Sequence, residues 1–419
     1  MIDPQLRQYL KKATIVFFGT FIAAFAGFIT QIILARNLSV VEYGIFNTQI
    51  TLLNFLSPCI GLGLSAYWLK IYGENQESAK EWMPVSLKLI LVTSILIAIF
   101  IIVNALIVES LSFWILLVLI FYCFGQSVVE LVGSKFQTEY DYNNFTFSQA
   151  TPHIIRLILV IGLVLLNQQN LNNFILVYST VGLIIILFWG PKLYSFLLQK
   201  PKKSKLVKKN LLELTYNTFP FWMAGFLYLT YMQSSILILS YISGPEKTGY
   251  YSSAFVILSA IYLLPSVLYQ KLLLPKLHNW AYHDKGKLLK IYALGNKLMI
   301  VLGLIFSLFL YLSSESIVLT LYGENYRQTI DVLKILCLAI PFKFISSSVG
   351  AFLSTRGFMS SKVRVMIIVS IFNVMMSFIL ISFYSLKGAI IVSVLTEIIM
   401  MALLLNIFHS KYKRNLNED

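Results

Sequence analysis

Three ionisable side chains lie deep inside apolar stretches long enough to cross a bilayer: Arg156, Lys343 and Glu397. A charge at the bilayer centre costs about 2.5–3.5 kcal/mol on insertion scales, so such residues face a cavity or a partner. A guanidinium can hold a phosphate through two parallel hydrogen bonds, whereas an ammonium offers a compact point charge. Arg156 is therefore a candidate anion ligand. Lys343 and Glu397 either line a cavity with it or form a buried ion pair that fixes helix packing. Lys297 sits only a few residues inside its apolar stretch, where snorkelling competes with a cavity role. Glu130, near the end of its own stretch, reads as interfacial. Arg36 closes the first stretch and either lines the outer mouth of a cavity or pairs with Glu42.

Uncharged polar groups recur in the same stretches: Gln31, Asn54 and Gln233, with Tyr231 beside the last. Most such groups hydrogen-bond between helices, at roughly 0.6 kcal/mol each; in a cavity they would hold hydroxyl-rich cargo. Catalytic chemistry is missing. His153, His278, His283 and His409 have no metal-ligand spacing, and no glycine-rich phosphate loop precedes a Lys-Ser or Lys-Thr. Cys59, Cys123 and Cys337 all lie in apolar segments and read as small hydrophobes. The sequence thus calls for no metal or cofactor, and for no enzyme.

The elements that must position these residues are membrane spans. Of 419 residues, 58% are hydrophobic and 12% charged, about half the charge of a soluble domain. Gly44–Leu69, Leu89–Val108, Ser110–Val129, Leu214–Pro245 and Val365–Leu386 carry no Asp, Glu, Lys or Arg. About 20 such residues cross the hydrocarbon as a helix. The segments do not alternate as barrel strands would. Spans are expected at roughly 13–35, 43–69, 84–108, 112–133, 147–166, 174–198, 215–240, 250–274, 291–314, 329–354, 362–384 and 387–408. The last two form the tightest hairpin. The fold class is all-α and polytopic, with about 12 transmembrane helices in two six-helix lobes, 1–198 and 215–419, joined by a basic linker, 199–214.

Charge sets the orientation. With a cytoplasmic N-terminus, 23 Lys and Arg fall in inside segments and four, Arg36, Lys247, Arg327 and Lys387, in outside loops. That asymmetry is the positive-inside pattern, with both termini cytoplasmic. The formal charge of +15 therefore belongs to membrane loops and not to a nucleic-acid surface. The linker reads as a positive-inside anchor, with contact to anionic lipid head groups as the alternative. A weak internal repeat relates Val41-Glu42-Tyr43-Gly44-Ile45-Phe46 to Glu246-Lys247-Thr248-Gly249-Tyr250-Tyr251, each followed by a proline, Pro58 and Pro265. Paired halves of like orientation suggest parallel repeats enclosing a central site.

These segments, with Gly61-Leu62-Gly63-Leu64, Leu274-Pro275-Lys276-Leu277, Leu321-Tyr322-Gly323-Glu324-Asn325-Tyr326 and Leu333-Lys334-Ile335-Leu336, resemble the polysaccharide transporter branch of the multidrug/oligosaccharidyl-lipid/polysaccharide exporter superfamily, most closely the Wzx-type O-antigen flippases. The resemblance covers nearly the whole chain. It implies two six-helix lobes around a central cavity with alternating access. It also implies undecaprenyl-diphosphate-linked oligosaccharide as cargo in a bacterial inner membrane, and membrane lipids and the polysaccharide polymerase and chain-length machinery as partners. Three alternatives remain, one of them the peptidoglycan-precursor flippase branch, which resembles this fold but typically adds two C-terminal spans. A drug/cation antiporter of the same superfamily commonly uses an acidic residue in the first span, and residues 13–35 hold no Asp or Glu. A membrane-embedded polysaccharide polymerase or acyltransferase would need a large outer loop or an intramembrane His.

Overall fold

The computed structural model describes residues 4–107, 113–199, 201, 209–355 and 358–412. Most of the basic linker lies outside the described residues, as do Arg356, Lys413 and Arg414. The helices are α1 Pro4–Asn37, α2 Val40–Leu56, α3 Leu64–Glu74, α4 Gln76–Lys80, α5 Met83–Ile107, α6 Phe113–Thr138, α7 Tyr142–Leu165 and α8 Leu171–Leu197. They continue as α9 Leu211–Ser243, α10 Pro245–Ser266, α11 Leu274–His283, α12 Lys285–Tyr322, α13 Gln328–Leu336, α14 Ile340–Phe352, α15 Met359–Tyr384 and α16 Leu386–Ile407. Together they provide 12 segments long and apolar enough to span a membrane, the number and class expected from the sequence. Exposed apolar side chains such as Ile95, Ile99, Leu308, Leu312 and Phe378 suit a hydrocarbon solvent.

Two compact units emerge, Met1–Asn37 with Gln49–Phe226, and Leu38–Thr48 with Leu227–Asp419. In the first, α6 packs along α8, and α1 along α7. In the second, α15 packs on α16, and α12 on α14.

Three spans are not continuous α-helices. The stretch expected as one helix over 43–69 breaks after α2 into a 3-10 turn, Ser57–Cys59, and resumes at α3. Pro58 starts the break, and Gly61, Leu62 and Gly63 hold it with positive φ values of 82°, 45° and 84°. Only glycine adopts that region freely. A broken span frees backbone groups that lipid cannot satisfy, and side chains of neighbouring helices bond the backbone around the break. The Gly61 N–H donates to Thr93 Oγ1 at 2.9 Å. Ser127 Oγ donates to the Ser57 carbonyl at 2.7 Å, and Ser134 Oγ to the Ser65 carbonyl. A second span departs from α geometry after α10, where Val267–Leu273 is π-helical beyond Pro265. The third breaks at Cys337–Ala339, and Pro341 opens α14.

The repeat-related segments meet within the second unit. Ser39 and Glu42 form a capping box at the start of α2. The Ser39 N–H and Oγ donate to Glu42 Oε2 at 3.0 and 2.7 Å, and the Glu42 N–H donates to Ser39 Oγ at 3.3 Å. Gly44 then lies against the Pro245 carbonyl, and Gly249 against the Val40 carbonyl, so a Cβ at either position would strike backbone. The Leu321–Tyr326 motif closes the same corner. The Tyr322 hydroxyl donates to the Ser253 carbonyl at 3.1 Å, and the Tyr326 ring packs edge-on to Tyr43 and Tyr250. The α15–α16 hairpin turns on Ser385 alone, at φ 53°, with Gly388 against the Leu380 carbonyl.

A glycine contact of the same kind sets the core of the first unit. A Cβ on Gly182 of α8 would run into the Phe121 carbonyl of α6, and one on Gly125 into Gly182 itself. Small residues allow such close crossing of membrane helices. Gly182→Ala should therefore destabilise the detergent-solubilised protein by roughly 1–3 kcal/mol, the range for overpacking. Gly162→Ala, in open space on α7, should be neutral or slightly stabilising. Thermal unfolding of the two variants checks this; equal melting temperatures would show that the crossing does not constrain the unit.

Candidate functional site

Polar side chains gather into one buried network in each unit. In the first unit the α6–α8 glycine crossing lies one helical turn from Tyr122 and Tyr178, whose ring centroids are 5.6 Å apart. Arg156 comes to them from α7. That helix begins at Tyr142, earlier than expected, and still leaves Arg156 nine residues from Leu165, about 14 Å at 1.5 Å per residue. Its guanidinium carbon lies 4.0 Å from the Tyr178 centroid and 5.5 Å from that of Tyr122. The residue is 6% exposed. No ion pair includes it among the described residues, and its Nε has no hydrogen-bond partner. A desolvated cation–π contact is worth about 2 kcal/mol, so the two rings offset much of the roughly 2.5–3.5 kcal/mol insertion cost without neutralising the charge.

Both tyrosines reach further expected residues. The Tyr122 hydroxyl donates to Asn54 Oδ1 at 2.9 Å, and Gln31 Nε2 donates to the Tyr178 hydroxyl at 3.3 Å. Arg156, Gln31 and Asn54, from α7, α1 and α2, are thus joined through two tyrosines.

Asn54 also lines a groove of about 400 Å³ with Ser57, Ser65, Gln126, Glu130, Gly133, Ser134, Gln137, Phe145 and Gln149. Glu130 is an exposed residue on the wall of this groove. Helix α6 continues to Thr138, eight residues and about 12 Å further, and Glu130 accepts from Ser65 Oγ at 2.6 Å inside the groove. Sequence reasoning missed Gln126, Gln137 and Gln149. A signal was present: 126, 130, 134 and 137 recur at helical spacing and mark a polar stripe on α6.

In the second unit, Lys343 and Glu397 pair, with Nζ 3.2 Å from Oε1. The 3-10 break before α14 places Lys343 in the first turn of that helix. Its ammonium also donates to the Tyr231 hydroxyl, lies 3.3 Å from Met232 Sδ, and faces the Tyr262 ring at 5.3 Å. Glu397 Oε2 has no protein partner. It borders a cavity of about 20 Å³ that Tyr231, Tyr262, Ser393 and Thr396 also line, room for one water molecule. Asn373 links the network to α9 and α16. Its Oδ1 accepts from Ser234 Oγ at 2.7 Å, and its Nδ2 donates to Thr396 Oγ1 at 2.9 Å.

The remaining expected residues stand apart from these networks. Gln233 has a buried Oε1 with no partner. Lys297 is exposed on α12 and Arg36 in the last turn of α1, where a cation complements the helix dipole. Glu42 is committed to its capping box. No group of three or more His, Cys, Asp and Glu able to hold a metal occurs among the described residues.

The architecture is shared with solved transporters. The inward closed conformation of the lipid II flippase MurJ matches with a TM-score of 0.72 at 17% identity, over 94% of this chain and 87% of that one. An inward-facing multidrug resistance MATE family transporter of the MOP superfamily matches at 0.71 and 14%, over 94% and 96%. A MOP superfamily transporter from Pyrococcus furiosus matches at 0.63 and 14%, over 94% and 93%. The chain therefore shares the fold of these transporters, and its 12 candidate spans among the described residues mark a multi-pass membrane protein. No curated protein matches in sequence. The profile of one family, described as "Polysaccharide biosynthesis protein", matches residues 9–278, more than half of the chain, and the chain belongs to that family.

The two networks carry opposite expectations for substitution. Removing one partner of a buried ion pair strands the other charge and costs about 3–5 kcal/mol, whereas replacing both with apolar residues is often tolerated. Lys343→Met and Glu397→Met should each lower the yield and melting temperature of membrane-inserted protein. The double variant should recover most of both. Equal losses for single and double variants would show that the pair does not act as a unit.

Proposed function

We propose that this protein is a flippase. It moves undecaprenyl-diphosphate-linked oligosaccharide, an O-antigen or similar surface polysaccharide repeat unit, from the cytoplasmic to the periplasmic leaflet of a bacterial inner membrane by alternating access. The observation that carries this reading is Arg156, a buried cation that no carboxylate among the described residues pairs with. A transporter that binds a diphosphate gains from such a group, because a charge-assisted hydrogen bond is roughly twice as strong as a neutral one. Lys343 does not fill that role, because Glu397 already neutralises it. Membership of a polysaccharide biosynthesis family and the fold shared with a lipid II flippase support cargo of this class. The prenyl chain stays in lipid while the sugars cross a polar interior.

In this reading the chain forms two lobes, 1–198 and 215–419, joined by a cytoplasmic linker, 199–214. Both termini are cytoplasmic in this reading, which the excess of Lys and Arg in the inside loops supports. The cargo is handed to the polysaccharide polymerase and chain-length machinery. The fold shared with a multidrug transporter favours a drug/cation antiporter as the second reading; the lack of Asp and Glu from Thr14 to Asn37 weighs against it.

Deletion in a strain with no paralogue separates the two. A flippase predicts loss of surface polysaccharide and build-up of the lipid-linked unit on the cytoplasmic leaflet, with drug susceptibility unchanged. Normal surface polysaccharide with raised drug susceptibility would favour the antiporter.

A further inference from the structure

The groove of the first unit is chemically distinct from the surroundings of Arg156. Its lining holds no Lys, Arg or His and a single carboxylate, Glu130. At about 400 Å³ it falls within the roughly 300–1,000 Å³ of small-molecule sites. The break at 61–63 builds its floor. It turns α3 so that Ser65 faces α6, and Ser134 fixes that turn by donating to the Ser65 carbonyl. Ser65 Oγ then holds Glu130 Oε1 at 2.6 Å, while Oε2 has no donor among the described residues. Gln149 uses its Nε2 on the Val129 carbonyl at 3.3 Å and keeps Oε1 for a ligand. Asn54 accepts from Tyr122 with Oδ1 and keeps Nδ2. The side-chain amides of Gln126 and Gln137 add donors and acceptors, and Phe145 adds an apolar ring face.

Such a lining would repel a diphosphate, since its one formal charge is negative. It suits a sugar ring, which offers many hydroxyls that both donate and accept, and a C–H face that packs on an aromatic ring. A carboxylate oxygen is the strongest acceptor available to sugar hydroxyls. We propose that this groove is a carbohydrate subsite that takes uncharged sugar residues of the cargo, with Glu130 as the specificity determinant that accepts their hydroxyls and excludes acidic sugars by like-charge repulsion. The inference deepens the flippase reading and rests on it, and it assigns sugar and diphosphate to different parts of the same unit.

The test uses the purified full-length chain in detergent, with chitobiose as the uncharged probe, digalacturonic acid as the acidic probe and undecaprenyl diphosphate as the lipid probe. Saturation-transfer NMR reads the sugars, and a filter-binding assay reads the lipid. The native protein is expected to bind chitobiose and to show no signal with digalacturonic acid. Glu130→Gln keeps the side chain's size and an acceptor for Ser65. It should weaken chitobiose about tenfold or more, as losing a hydrogen bond to a charged group does, and should bring up binding of digalacturonic acid. Gln126→Leu should weaken chitobiose without admitting the acidic probe. This reversal of preference is a readout that a purely structural role would not move. Equal chitobiose binding by native protein and Glu130→Gln, or no sugar binding by the native protein, overturns the proposal. If undecaprenyl diphosphate still binds in that case, the flippase reading survives alone. If the sugar reversal is seen without lipid binding, the subsite stands and the flippase reading falls.

Discussion

Hydrocarbon offers no hydrogen-bond partner, and every other feature of this protein follows from that constraint. It confines the backbone to helices and charges a penalty wherever a helix is interrupted. The interruptions therefore mark places where the protein supplies its own partners. At the 57–63 break, Thr93 of α5 satisfies the freed Gly61 N–H, Ser127 and Ser134 of α6 bond the flanking Ser57 and Ser65 carbonyls, and the return is a polar groove inside a span. At 337–339 the return is Lys343, lifted into the first turn of a new helix opposite Glu397.

The same constraint acts on charge, and the two units meet it differently. In the second unit a carboxylate neutralises the lysine at 3.2 Å, with Tyr231 and Tyr262 around it. In the first unit Arg156 rests on the π-faces of Tyr122 and Tyr178, which lower the cost of the charge but leave its sign available. The tyrosines can do so only because Gly125 and Gly182 bring α6 and α8 into backbone contact one turn away. Glycine spacing, aromatic stacking and a guanidinium with no carboxylate partner among the described residues thus form one chain of dependence.

Much of this was legible in the sequence, for physical reasons. Uncharged runs near the bilayer's length fixed the number and class of the spans, and Gly44 and Gly249, matched as repeat partners by local pattern, lie in one contact region. The breaks within spans were hidden, because Gly61-Leu62-Gly63 is as apolar as its surroundings and hydropathy does not report φ. The end of the fourth span was hidden too: the uncharged run stops before Lys135, but that lysine pairs with Glu139 at 2.6 Å and α6 runs on to Thr138. The Lys343–Glu397 pair joins residues 54 positions apart, and the partnership of Arg156 with two tyrosines draws on three helices. Neither follows from composition or spacing.

Translocation by the purified protein tests the account most directly. Proteoliposomes carrying a fluorescent undecaprenyl-diphosphate oligosaccharide, with a membrane-impermeant quencher outside, report the rate at which cargo changes leaflet. The native protein should raise that rate well above protein-free vesicles. Arg156→Ala, reconstituted to the same level and equally folded, should fall to the protein-free rate, and Arg156→Lys should lie between. A native rate from Arg156→Ala would contradict the central claim that the buried guanidinium of the first unit serves the cargo's diphosphate.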